Sequence, residues 1–285
     1  MRKIIFSPPL VSIGLPAYNN EKCIGEVLDG LLAQTYTNLE IIISDDASDD
    51  STLDICLGYA KKDARIKVFE QKSNIGANSN FKFVLDEASG KYFAWVAADD
   101  WRSKNFIEEN LKFLEANLGY VASTSRNGFD NQLDADIDFS IEGTEFERFK
   151  AFFNNCWKSN GIYYSLIRTY VLKLCGEIGR NFFGVDWIVD LHLARYGNIA
   201  RIKSGYSIFG TNGVSHNNPY KPFRNKVIEI VFPFYELTKY VIKYSFRFTM
   251  FQKFMVYMWL LKLNLRASYG SFRWLIKYGD KNRNE

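Results

Sequence analysis

The stretch Val11-Ser12-Ile13-Gly14-Leu15-Pro16-Ala17-Tyr18-Asn19 decides how this chain is read. Residues 11–15 are a compact apolar run of strand length, closed by Pro16, and polar and aromatic residues follow at once. Next, Ile24, Val27, Leu28, Leu31 and Leu32 fall at i, i+3, i+4, i+7 and i+8, the apolar stripe of a helix within residues 20–34. Residues 39–43 then hold a β-branched run, the mark of a strand buried on both faces.

The alternation continues outward. Ser48 is placed to cap a second helix, with Asp49 and Asp50 in its first turn and Leu53, Cys56, Leu57 and Ala60 on its buried face. Residues 66–69 read as a third strand, residues 74–88 as a loop entering a helix that Gly90 ends, and residues 92–96 as a fourth strand. Ser103 begins another helix with Phe106, Ile107, Leu111 and Leu114 inside, and residues 119–124 give a fifth strand. The pattern predicts an α/β fold, a Rossmann-like mixed and mostly parallel sheet covered by helices. Ligands of such sheets bind beyond the carboxyl ends of the strands. The polar residues gather there: Pro16, Ala17, Tyr18 and Asn19 after the first strand, Asp45 and Asp46 after the second, Asn74 after the third, Asp99 and Asp100 after the fourth. Residues 125–180 lose the alternation and read as a segment covering the sheet, with a helix near 145–153. Asp186 then opens an apolar helix, and from Lys221 onward the pattern is helical, aromatic and basic.

A chain of 285 residues, 47% apolar and 24% charged, can bury a full core and is not disordered. Its net charge of +4 hides an asymmetry: residues 239–285 carry ten Lys and Arg against Asp280 and Glu285, a net +8 that leaves residues 1–238 at −4. That balance points the tail alone toward an anionic surface. Cys23, Cys56, Cys156 and Cys175 show neither metal-ligand nor disulfide spacing, which fits a reducing compartment. Only Ile4-Ile5-Phe6 separate Arg2 and Lys3 from Ser7-Pro8-Pro9, a poor core for a signal peptide. The apolar run between Lys253 and Lys262 falls far short of the ~18 residues of a membrane span. The expectation is a cytoplasmic protein, peripheral on the inner face of the plasma membrane.

Four motifs in order carry a resemblance. Residues 11–19 resemble the opening strand of the family-2 glycosyltransferases, read as VSIxxPxYN, and Ile41-Ile42-Ile43-Ser44-Asp45-Asp46-Ala47-Ser48-Asp49-Asp50 resembles their second signature, VDDxSxD. Asn74-Ile75-Gly76 with Asn80, then Gly90-Lys91-Tyr92, then Ala98-Asp99-Asp100 complete the family order and spacing. The match covers residues 9–125 and, more loosely, 180–215. It implies the GT-A fold: a catalytic domain over residues 1–220, its nucleotide-sugar half about 9–125 and its acceptor half about 126–220, and a basic aromatic helical extension over 221–285. It also implies an inverting enzyme that moves a sugar from a nucleotide-diphosphate sugar to an acceptor hydroxyl. A glycan or lipid-linked acceptor in bacterial surface polysaccharide synthesis is the implied setting.

On that resemblance Asp45, with Asp46 beside it, accepts from an N–H on the nucleobase edge, and Tyr18 stacks on the base near the backbone of Ala17. Turn and cap chemistry around Ser48 is the plainer use of the same carboxylates. Asn74, Gly76 and Asn80 either line the donor or make a turn and a helix cap. Ala98 and Asp99 face the donor, and Asp99, with Asp100 second, is the implied ligand of Mg²⁺ or Mn²⁺ on its diphosphate. The family's frequent DADD reads Ala97-Ala98-Asp99-Asp100 here, so its first Asp is absent. Phe209 stands where many relatives carry a metal-site His, with His216 seven residues on. Asp186 is the implied general base, Asp190 one turn later is the alternative, and Asp186 is equally suited to cap its helix.

Competing readings remain at this level. Ala97 and Phe209 also suit a nucleotide-sugar-binding protein with lost or metal-independent catalysis. A nucleotidyltransferase wants a Gly-rich basic loop after the first strand, which Pro16-Ala17-Tyr18-Asn19 is not. In the tail, Phe246, Phe248, Phe251, Phe254, Tyr257 and Trp259 interleave with Lys and Arg. That suits a helix lying in an anionic membrane interface, at about 1 kcal/mol per cation, or helices that pack on the body and snorkel their charges. A scaffold that docks on membranes through the tail alone is the last alternative. Nucleic acid is not an expected partner, since no recognition motif accompanies the basic residues.

Overall fold

The computed structural model describes residues 7–129, 132–134, 138–210, 228–229 and 232–278. Four parallel strands form its first half: β1 (Val11–Ala17) between β2 (Leu39–Asp45) and β4 (Tyr92–Trp95), with β3 (Ile66–Glu70) outside β2. Helices α1 (Ile24–Leu32), α2 (Thr52–Ala60) and α3 (Ala77–Asp86) make the crossovers. Beyond them come β5 (Trp101–Arg102), α4 (Phe106–Ala116), β6 (Tyr120–Phe129), β7 (Gln132–Leu133), α5 (Glu145–Asn155), α6 (Asn160–Tyr163), β8 (Leu166–Arg168), α7 (Thr169–Lys173), α8 (Val185–Tyr196) and β9 (Asn198–Phe209). The sheet runs β3-β2-β1-β4-β8-β6-β9-β5, with β7 paired to β6. It is mixed and mostly parallel, as the strand–helix alternation predicts.

The sheet is covered on both faces. Ile13, Leu15, Ile41, Ile43 and Ala94 pack into one apolar cluster with α1, and Ile42, Phe93 and Trp95 pack into the other with α3 and α8. Alternate residues of one strand enter different clusters, which is why β2 and β4 read as continuous apolar runs rather than as alternation. Glu40 breaks the run but is satisfied: it accepts from the Ser12 hydroxyl and from the N–H and hydroxyl of Ser89, and it pairs with Lys67 at 2.8 Å.

Several local expectations change. Pro16 does not close β1, which runs on to Ala17. The Gly14 carbonyl accepts from Val96 on the β4 side, and Pro16, two residues on, faces that same side where β4 has already ended; its missing N–H has no partner to lose. Ser48 does not cap α2, whose N-cap is Ser51; its hydroxyl is taken by Asp45. Ser103 lies before α4, whose N-cap is Asn105, and receives the N–H of Tyr206. The 125–180 segment does more than cover the sheet, because β8 enters it antiparallel between β4 and β6. The helix expected near 145–153 is α5, started by a Thr144–Glu147 capping box.

The basic aromatic segment folds onto the body. In α9 (Tyr235–Tyr244), Leu237 and Val241, and in α10 (Met250–Tyr278), Val256, Leu260, Leu263 and Ala267, join the cluster that holds Phe149 and Phe152 of α5 and Leu191 of α8. Phe248 packs edge-on to Phe146 and Phe149 at 5.6 and 5.4 Å. Among the described residues no helix is long and apolar enough to cross a membrane.

Candidate active site

The loops leaving β1 and β2 are clipped together beyond the carboxyl ends of those strands. Asn19 and Ala47 both hold positive φ, at 53° and 58°, and Ala47 has no polar side chain to make that region easy. The strain is held by bonds across the loops: Asn19 N–H donates to Ser48 Oγ at 3.0 Å, and Asp49 N–H donates to Asn19 Oδ1 at 3.1 Å. Asp45 is fully buried and accepts from the Ser48 N–H at 3.0 Å and the Ser48 hydroxyl at 2.6 Å. Asp46, almost as buried, accepts from the N–H groups of Ile75 and Gly76 at 2.7 and 3.0 Å, and so fixes the loop after β3. Gly76 sits there at φ 86°, a conformation that excludes larger residues. Asn80 donates to the Ser44 carbonyl at 2.8 Å, while its buried Oδ1 has no hydrogen-bond partner. Pro16, Ala17 and Ala98 are buried as well, whereas Tyr18, Asn19 and Asn74, with Asp49 and Ile75 beside them, are exposed.

A second shelf follows β4. Asp99 is half-buried, and Asp100 is buried, accepting from the N–H groups of Ala97 at 3.3 Å and Gly210 at 3.2 Å. Burial raises the Asp100 carboxyl to about 6, although the nearby Arg102 guanidinium opposes the shift. Arg102 is itself sealed in, donating to the Trp95 carbonyl at 2.7 Å and lying 4.4 Å over the Phe106 ring, and its burial lowers it to about 10. Asp99 lies against Gly210, just past β9, and its charge also raises the Cys23 thiol at the start of α1, second to burial.

The third contribution comes from α8. Its N-cap is Gly184 in the left-handed region, at φ 86°, so Asp186 is in the first turn and is not the cap. Asp186 is exposed, yet the protein around it raises its pKa by desolvation, the combination expected of a side chain standing in a cleft. Asp190, one turn on, is 1% exposed, and its Oδ1 has no hydrogen-bond partner. Burial first, then the charge of Asp186, raise Asp190 well above the usual carboxylate range. The helix therefore holds one carboxylate that can meet a ligand and one that cannot.

Tyr164 connects the shelves. Burial raises its hydroxyl, and the charges of Asp100, Asp186 and Asp99 raise it further. It packs 5.3 Å from Phe209 and 5.2 Å from Tyr163, which in turn stacks on Trp95 at 4.6 Å. Neither Tyr164 nor Arg102 stands out in the sequence reading. The Tyr pair just before a short apolar run, and an Arg two residues past a carboxylate pair, are the signals that could have found them. His192 is buried between Tyr240 and the Val171 carbonyl and is lowered to about 4, so it belongs to the core. His216 lies outside the described residues. Phe209 is buried among aromatic rings and brings no ligand atom.

Among the described residues no group of three or more His, Cys, Asp or Glu could hold a metal ion. Asp99 nevertheless fits a magnesium-like ion, because such ions are commonly held by one or two carboxylates together with substrate phosphates rather than by a protein cage. The Asp100 oxygens are already committed to two backbone N–H groups.

Comparison with known proteins bears on the family and the fold. A glycosyltransferase of Haemophilus influenzae, itself named uncharacterized, is 42% identical over 109 residues, 38% of this chain and 34% of that protein. The glycosyltransferase GlyG of Streptococcus pneumoniae is 31% identical over 137 residues, 48% of this chain and 45% of its own length. The chain thus matches between a third and a half of the length of these relatives. Among solved structures, Staphylococcus aureus TarS 1–349 in complex with UDP-GlcNAc superposes with TM-score 0.63 at 19% identity, over 84% of this chain and 67% of that one. The mannosyltransferase PcManGT of Pyrobaculum calidifontis, in complex with GDP-Man and Mn²⁺, gives TM-score 0.60 at 16% identity, over 96% and 76%. The fold is that of the GT-A glycosyltransferases. The model of the family described as Glycosyl transferase family 2 matches residues 12–169, more than half of the chain, and the chain belongs to that family.

Proposed function

We propose that this chain transfers one sugar, with inversion, from a nucleotide-diphosphate sugar to an acceptor hydroxyl. The observation that carries the reading is Tyr164, which packs on Phe209. Its hydroxyl is raised by burial and by the charges of Asp100, Asp186 and Asp99, so the carboxylates after β4 and on α8 lie within electrostatic reach of one residue. The neighbours bound to UDP-GlcNAc and GDP-Man support a nucleotide-sugar donor.

The donor's base lies against Tyr18, whose exposed ring stacks on it, and Asp45 accepts its N–H edge once the Ser48 hydroxyl rotates off Oδ1. Asp46, Asn74, Gly76 and Asn80 shape that pocket through the loop after β3. Asp99 would hold a Mg²⁺ or Mn²⁺ together with the diphosphate, and when bound such an ion offsets the negative charge that grows on the leaving oxygen. Asp186 accepts the proton of the acceptor hydroxyl as its oxygen bonds to the anomeric carbon. The bond from that carbon to the diphosphate breaks, and the nucleoside diphosphate leaves. Asp190, one turn on from Asp186, is buried, and burial and the Asp186 charge raise its carboxyl. The acceptor is a glycan or lipid-linked hydroxyl, in keeping with bacterial surface polysaccharide synthesis.

Thermal-shift screening of nucleoside diphosphates and their sugars, with and without Mg²⁺, Mn²⁺ or chelator, tests the donor side, since a bound ligand raises apparent stability by mass action. Turnover of the donor that binds tests the rest. Phe209, which brings no ligand atom to the metal position, favours a second reading of donor binding without turnover. A donor that stabilises the protein but is neither transferred nor hydrolysed under any metal condition would establish it.

A further inference from the structure

Helix α10 is apolar on two opposite faces, and the body covers only one of them. Val256, Leu260, Leu263 and Ala267 are buried in the core, at 0–4% exposed. Met250, Phe251, Phe254, Met258, Leu261 and Leu265 are 46–81% exposed. The spacing 250, 254, 258, 261, 265 repeats every three to four residues, so these side chains form one continuous stripe along the helix. A helix that needed only to pack on the body would carry polar residues there, and contiguous exposed apolar surface marks an interaction site.

Charge identifies the occupant. Residues 239–279 contain eight Lys and Arg and no Asp or Glu. Lys262 and Arg266, one turn apart and exposed, edge the stripe, and the Arg266 guanidinium lies 4.8 Å over the Trp157 ring. The same two cations, with Trp157 and Trp259, line a groove beside the helix. An apolar stripe edged by cations fits the boundary between the acyl chains and the headgroups of an anionic bilayer, where apolar burial and charge attraction add. A protein partner of ordinary surface would be matched by mixed charge, not by 41 residues without a single acid. We infer that α10 seats this protein on an anionic lipid surface, with Met250, Phe254, Leu261 and Leu265 entering the interface while the opposite face stays in the core. The inference stands on the helix alone and does not depend on the sugar-transfer reading.

The test is sedimentation of the full chain with vesicles of phosphatidylcholine alone and of phosphatidylcholine mixed with phosphatidylglycerol. The expected result is binding to the mixed vesicles, weak or absent binding to the neutral ones, and release as salt rises. Leu261→Glu with Leu265→Glu, and separately Lys262→Glu with Arg266→Glu, should each lower partitioning by roughly tenfold or more. All four positions are exposed, and unchanged thermal unfolding of both variants shows that the fold is intact. Equal partitioning of wild type and both variants, or no binding by folded wild type, overturns the inference. So does a wild-type dimer that Leu261→Glu with Leu265→Glu dissociates while vesicle binding is unchanged, because the stripe is then an interface between two copies.

Discussion

Gly210 lies so tightly against the Asp99 carboxylate that no Cβ fits between them. The contact is between the residue just after the last strand and the shelf after β4, and the Gly210 N–H also holds Asp100 at 3.2 Å. One glycine therefore touches both carboxylates, bonding one and closing the space beside the other.

Gly210→Ala should push Asp99 out of place without emptying any part of the core. Misplacement of a ligand-holding group by about 1 Å can cost roughly 10²-fold in rate, so turnover should fall by about that factor with little change in thermal stability. Donor turnover at saturating Mg²⁺ and a melting curve are the two readouts. Wild-type turnover would show that Asp99 has no part in donor handling.

Asp186→Asn should reduce transfer by roughly 10²- to 10⁴-fold and leave donor binding near normal. Because desolvation raises Asp186, the acidic limb of the wild-type rate profile should lie above the ordinary aspartate value of 3.8. Asp190→Asn, at a sealed position, should keep that limb. A mutant at Asp186 that turns over at near wild-type rate removes the base assignment.

Asp100 is higher in the folded protein, at about 6, than its ordinary 3.8. A raised carboxyl contributes stability below the lower value and loses it as pH rises through the higher one. Wild type should therefore lose stability relative to Asp100→Asn as pH climbs from about 4 to about 6. Parallel melting curves of the two proteins across that window would refute the assignment.

Glu40 has the opposite sign. Burial raises it, but the hydrogen bonds from Lys67, Ser12 and Ser89 outweigh that and bring it from 4.5 to about 2. Its stabilisation is present above 4.5 and is lost as pH falls toward 2. Glu40→Gln should cost on the order of 3 kcal/mol at neutral pH, with the difference closing on acidification. Denaturant unfolding at several pH values measures it, and the site lies at the end of β2 away from Tyr18 and Asp99.

Much of the first half was legible because its signals are local. The β-branched run of β2, the short apolar run of β4, the apolar stripe of α1 and the carboxylates beyond the strand ends each fit within a few residues. The reading weakened after residue 125, where β8 is three residues long and joins the sheet only through β4 and β6. Nothing in Leu166-Ile167-Arg168 itself reveals those partners.

The sequence alone determined a helix-covered parallel sheet with acidic and aromatic residues at the carboxyl ends of its strands, because period and composition report which faces are buried. Tertiary structure decided which of those residues can meet a ligand. Asp46, Asp100 and Asp190 are buried supports, Asp45 is buried behind the Ser48 hydroxyl, Asp99 is half-buried, and Tyr18 and Asp186 are exposed. The cause is non-local bonding: Asp46 is fixed by an N–H 30 residues away and Asp100 by one 110 residues away. Such partners are brought together only by the packed chain, so identical carboxylates in sequence become support in one place and candidate chemistry in another.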